Sequence, residues 1–268
     1  MYGSGTFNKV FIASNGYING FTVMDSLELT AGYTYSLSGS PITINQSLEA
    51  VGTCTAVITL APEAGSSSAL LTSASAAINV DYCNLENVVA TGGAVFNATN
   101  TVDLGGNTGW NISPLAAQTY YWIGGTGSWN DPAHWSVSSG GGPALCIPTA
   151  FHDVVFDSLS FTGSGELVSI ASNAQCNNFT WTGVAHNPML YNTGVLSIYG
   201  STTFADSVGF SATYFASVEM LGPSTGKTIA LAGTVFPCEV LFNGNGADWT
   251  LQDAFACTSE VALRAGTL

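Results

Sequence analysis

Charge is the scarcest property of this chain. Asp, Glu, Lys and Arg together make up 7% of its 268 residues, where an ordinary soluble domain carries about 25%. Positive charge is scarcer still: Lys9, Lys227 and Arg264 stand against seventeen acids, for a net charge of −14. Three scattered cations cannot form the patch that displaces counterions from a phosphate backbone, which argues against nucleic acid as a partner. The same shortage argues against a lyase for acidic polysaccharide, which needs cations for its uronate groups. Long apolar runs are missing too. Gly, Ser, Asn or Thr interrupts each one well short of the ~20 residues that a membrane-spanning helix requires, so the 46% apolar content is spread over many short segments. Disorder is excluded from the other side, because it goes with low hydrophobicity and high charge.

Chemistry-bearing motifs are also absent. There is no CxxC, HExxH, Asp-Asp or Asp-x-Asp, so thiolate metal sites, thioredoxin-like exchange and zincin chemistry lack local support. A glycosidase needs two carboxylates about 5 to 9.5 Å apart around a cleft. Asp153 and Asp157 instead flank the apolar run Val154-Val155-Phe156, and Asp206 with Glu219 is an example of a pair that only folding could unite. The expectation is therefore no enzyme, no cofactor and no metal. His134, His152 and His186 have no paired spacing and are expected at the surface or in turns. Asp103-Leu-Gly-Gly-Asn107 offers too few oxygens for calcium and reads as a side-chain-capped turn.

What is present is strand. Short β-branched or aromatic segments recur, for example at residues 10–13, 26–30, 56–60, 154–156, 168–170, 195–199 and 239–242, each bounded by Gly, Asn, Ser or Asp. No window sustains a helical period. The turns are mostly loose mixtures of Gly, Ser, Thr and Asn rather than two-residue hairpin turns, as at the corners of a coil. The reading is all-β, a right-handed parallel β-helix (β-solenoid), with Val, Ile, Leu and Phe inward and Ser, Thr and Asn outward. Low charge fits this fold, since like charges stacked coil upon coil at ~4.8 Å repel. A break near Ser113-Pro114 divides it into two consecutive modules: the end of one over residues 1–113, a Trp- and Gly-rich junction over 114–136, and a second, truncated one over 137–268.

The six cysteines, Cys54, Cys83, Cys146, Cys176, Cys238 and Cys257, read as a disulfide set. Cys54 with Cys83 and Cys146 with Cys176 are each separated by about one solenoid repeat, the spacing that stacks two cysteines on neighbouring coils; Cys238 with Cys257 is the weakest of the pairs. Tyr120, Tyr121, Trp122, Trp129 and Trp135 read as a packed plug covering the module junction, or else as an aromatic platform for sugar rings.

Residues 120–181, through Trp122-Ile-Gly-Gly-Thr-Gly-Ser-Trp-Asn-Asp-Pro-Ala-His-Trp135, Ser139-Gly-Gly-Gly-Pro143, Cys146-Ile-Pro148 and Asp153-Val-Val-Phe-Asp157, resemble a recurring module of very large Bacteroidota surface proteins. These are repetitive adhesins, often exported by the type IX pathway and in part associated with gliding or filamentous structures. Residues 102–110 are similar to the end of the module that precedes it. The resemblance implies a β-helical stalk and offers no catalytic residues. Exported proteins of that group are often O-glycosylated at Asp followed by Ser or Thr and a small or aliphatic residue. That pattern places sugars on Ser26, Ser158 and Ser207.

Met1-Tyr-Gly-Ser-Gly lacks the basic start and apolar core of a secretory leader, and residues 260–268 read as a strand in progress, so the chain is expected to be a piece of a longer exported protein. Residues 27–32 echo residues 261–266 at an offset of 234. The functional expectation is a structural rod segment of a secreted cell-surface adhesin or extracellular filament. Its partners would be neighbouring modules or copies end to end, together with surface glycans. A carbohydrate-binding or carbohydrate-active β-helix, and a phage tail fibre, are the alternatives.

Overall fold

The computed structural model describes residues 6–74, 77–206, 208–211 and 216–268. It is a β-solenoid built from parallel sheets. Among the described residues the ladders between named strands are all parallel except one, in which Thr119–Trp122 meets Trp135–Ser136 antiparallel. Two compact units divide the chain, residues 1–116 and 117–268, each with its own apolar core.

In the first unit, strands Thr22–Leu29, Ile42–Val51, Ile78–Asp81, Phe96–Asp103 and Trp110–Pro114 stack in register. Strands Gly16–Ile18, Thr34–Leu37, Ile58–Pro62 and Cys83–Leu85 form a second face. The stacking has a simple cause. A strand that alternates apolar and polar residues presents one row to the interior and the other to solvent, and parallel in-register pairing turns each row into a column. Ile12, Leu29, Ala50, Val80, Ala98 and Ile112 make one such inward column. One position earlier, Phe11, Glu28, Glu49, Asn79, Asn97 and Asn111 make the outward one. There the amides stack as a ladder: Asn97 Nδ2 donates to Asn79 Oδ1 at 2.9 Å and Asn111 Nδ2 donates to Asn97 Oδ1 at 3.1 Å. Lys9 Nζ meets Glu28 Oε2 at 2.6 Å near the start of the same face.

The second unit has three faces. The first runs through Thr119–Trp122, Asp153–Phe156, Phe179–Trp181, Thr202–Phe204 and Lys227–Ala230. The second runs through Gly127–Ser128, Leu167–Ile170, Met189–Asn192 and Gly209–Phe210, and the third through Ala174–Cys176, Val195–Ile198, Ser217–Met220 and Glu239–Leu251. Its inward columns include Ala174, Leu196, Val218 and Val240, and an aromatic one of Phe156, Trp181 and Phe204. Coil length is not constant. Ala50 is in register with Val80, 30 residues on, whereas Val80 is in register with Ala98, 18 residues on.

Candidate functional site

The cysteines depart from the expected pairing. Cys54 and Cys146 are disulfide-bonded, while Cys83, Cys176, Cys238 and Cys257 are free. The cause is register. Cys83 lies opposite Ile58, not Cys54, so a 29-residue spacing misses a step that is locally 25. Its thiol faces the carbonyl oxygens of Ala50 and Asp81 at 3.7 and 3.5 Å, and burial pushes its pKa up to about 12. Cys176 heads an inward column that continues with Ile198, Met220 and Phe242. Burial raises its pKa well above the usual thiol value. Cys257 is in register with Phe236, and its Sγ donates to the carbonyl oxygen of Cys238 at 2.9 Å. Cys83 and Cys176 are packing residues of the core, where burial disfavours the thiolate that a nucleophile needs.

The aromatic group is interior. Trp122, Trp129 and Trp135 are fully buried and Tyr120 nearly so, with Tyr121 half-buried. Trp122 and Trp129 meet Trp135 edge-on at centroid distances of 5.1 and 4.9 Å, and Phe156 and Phe179 complete the cluster. The Trp122 and Trp135 indoles donate to the carbonyl oxygens of Gly125 and Trp129 at 2.8 and 2.6 Å. No tryptophan face among them is open to a sugar. The Gly residues of the motif are there for this packing: a Cβ on Gly127 would sit 2.1 Å from His134 Nε2, the imidazole that stacks on Trp122 at 4.9 Å.

The acids do not gather around a cleft. All nine aspartates accept hydrogen bonds. Asp103, Asp131 and Asp157 cap their own turns through the N–H groups of Gly105, Ala133 and Leu159. Asp103 also accepts from Asn107 Nδ2. The others reach across to a neighbouring coil: Asp153 accepts from Asn178 N at 3.1 Å, Asp206 from Gly183 N at 2.6 Å, Asp248 from Gly226 N, and Asp253 from Leu231 N and Ala232 N at 2.9 and 2.7 Å. Asparagines do the same, with Asn15 accepting from Thr34 N and Asn173 from Val195 N. A carboxylate that satisfies corner amides of the next coil is a stitch in the stack, and it explains why so few charges are needed and why they are acidic. Asp206 is at such a corner, whereas Glu219 lies on the third face, where burial raises its pKa and Arg264 opposes that.

Two buried ionisable groups were not legible. His152 lies in a turn, its N–H donating to the Thr149 carbonyl oxygen at 3.0 Å, but it is 3% exposed rather than at the surface. Its Nδ1 accepts from Thr149 N at 3.1 Å, its ring meets Tyr120 edge-on at 5.0 Å, and burial lowers its pKa to about 4. Lys227 is also 3% exposed. Its Nζ donates to the carbonyl oxygens of Leu221 and Gly222 at 2.6 and 2.8 Å and lies 4.7 Å from the Trp249 ring centroid. Burial pushes its pKa down to about 8, with Asp248 opposing.

Of the serines marked for sugar, Ser158 is exposed at the tip of the Asp157-capped turn. Ser26 lies mid-strand, half-buried, its Oγ accepting from Ser47 Oγ at 3.0 Å. Ser207 falls outside the described residues. Among the described residues no group of three or more His, Cys, Asp or Glu is placed to hold a metal ion, and no helix is long and apolar enough to cross a membrane. No protein-family model, curated protein or solved structure matches the chain.

Proposed function

We propose that this chain is a structural segment of a secreted cell-surface adhesin or extracellular filament, working as a stiff rod without catalysis or cofactor. The observation that carries this reading is the stacked parallel columns, apolar within and polar without, tied from coil to coil by side-chain stitches. A parallel stack of that kind resists bending and tension because a coil contacts only its neighbours and loses its ladder only by peeling away. The disulfide-bonded Cys54 and Cys146 support an oxidising, extracellular location, and the Trp- and Gly-rich segment supports kinship with the surface adhesins it resembles. Neighbouring modules or further copies of the chain are the partners in this reading, and Ser26 and Ser158 the glycan carriers.

Force spectroscopy with the chain held at both ends tests the rod. The expected trace is a series of steps, each releasing one coil. The 22-residue step from Ile229 to Leu251 corresponds to about 75 Å of extended chain. A single low-force rupture of each unit would refute the mechanical reading. Labelling of intact host cells by antibodies to the chain tests the location, and signal obtained only after lysis would overturn it.

A further inference from the structure

We infer that the second unit also carries a binding site for a neutral sugar, in a cleft at one of its corners. The cleft has a volume of about 550 Å³ and is lined by Trp181, Val184, Asn187, Pro188, Met189, Asp206 and Gly209. That size is within the range of small-ligand sites, roughly 300 to 1,000 Å³, with room for a short stretch of glycan. The wall over residues 182–188 holds an unusual backbone: Gly183, His186 and Asn187 have φ of 64°, 71° and 48°. Left-handed conformations at non-glycine residues cost free energy and persist where the surroundings impose them, commonly at ligand clamps. Asp206 ties the start of this wall to the neighbouring coil, its Oδ2 accepting from Gly183 N at 2.6 Å. Gly209 borders the same wall, where a Cβ would come within 3.0 Å of the Pro188 carbonyl oxygen.

The free polar groups define the ligand. Asp206 and Asn187 are exposed. Asp206 Oδ1 and the Asn187 amide make no hydrogen bond among the described residues, which leaves both to a ligand. A carboxylate oxygen accepts from adjacent hydroxyls and an amide both donates and accepts, which suits a polyol. Met189, 39% exposed, supplies the apolar surface for the C–H face of a pyranose ring, with Pro188 and Trp181 buried in the lining. The net charge of −14 disfavours uronates, sialic acids and phosphates. This site does not depend on the rod reading, since its failure leaves the force-extension steps unchanged.

The test titrates the whole chain with neutral oligosaccharides of glucose, mannose, galactose and N-acetylglucosamine, read by saturation-transfer NMR and by calorimetry. Asp206→Asn keeps an acceptor for Gly183 N and removes the charge. Asn187→Gly removes the amide at an exposed position and suits the left-handed φ of 48°, so the thermal midpoint should hold. The expected result is millimolar or tighter binding of at least one sugar, weakened about tenfold by either substitution and unaffected by Asn97→Ala on the first unit. No binding at millimolar sugar, equal binding by the wild type and both variants, or binding of lysine-rich peptides or polyamines in place of sugars would each overturn the proposal.

Discussion

Mild acid should loosen the second unit through His152, and His152→Gln isolates the effect. The imidazole is 3% exposed, and its Nδ1 lone pair is committed to Thr149 N at 3.1 Å. Protonation would set a hydrogen on that nitrogen against an N–H donor and place a charge beside the Tyr120 ring, with Asp153 the acid that partly offsets it. The folded pKa is about 4 and the ordinary value 6.5. Between those values the unfolded chain binds more protons than the folded one, so stability is complete above the higher value and falls as pH drops. At 1.36 kcal/mol per pKa unit, the loss from about pH 7 to pH 5 is about 2 kcal/mol, approaching about 3 kcal/mol near pH 4. Urea unfolding followed by tryptophan fluorescence reads this directly, since Trp122, Trp129 and Trp135 share a core with the residues around His152. The wild type should lose about 2 kcal/mol across that window relative to His152→Gln, a difference that cancels the titration of every other group. Parallel pH profiles for the two proteins would refute the assignment of a neutral, buried imidazole.

Trp135→Ala should destabilise the second unit by about 3 to 5 kcal/mol, because it empties a fully buried position among three aromatic rings and releases a 2.6 Å hydrogen bond to Trp129; thermal unfolding checks it. Asp253→Ala should cost about 1 to 2 kcal/mol by orphaning the Leu231 and Ala232 amides, and Asp253→Asn, which keeps an acceptor, should cost less. For Lys227 the folded pKa is about 8 and the ordinary value 10.5, so between them the unfolded state binds more protons and stability rises with pH. Unfolding at successive pH values should show that rise in the wild type and not in Lys227→Met.

The fold was legible because its causes are local. Val, Ile and Leu at alternate positions, as in Ile42-Thr-Ile44 and Ile78-Asn-Val80, specify strands with one buried face, and loose corners favour coils over hairpins. Register was not legible, since the corner between two strands sets it and corner lengths differ. A constant repeat therefore put Cys83 opposite Cys54 when its neighbour is Ile58. The same blindness hid the stitches. Asp253 in the sequence is an acid before a turn, and nothing nearby announces that its partners are Leu231 and Ala232. His152 and Lys227 were hidden for a related reason: polar residues bordering strands look solvated until the coils beneath and above them are in place.

The uneven coils have a consequence for how such a chain can change. The steps of 30 and then 18 residues after Ala50 keep the same column intact, so residues added at a corner need not shift any strand above or below. Gly65, Gly165 and Gly233 stand at corners where a Cβ would meet nothing within 4 Å. The molecule thus separates a fixed ladder from a set of independently adjustable loops. Foreign peptides spliced in at Gly65 or Gly165 should be displayed at the margin of an undisturbed stack, and natural variation should accumulate there as insertions of unequal length rather than as substitutions in the columns.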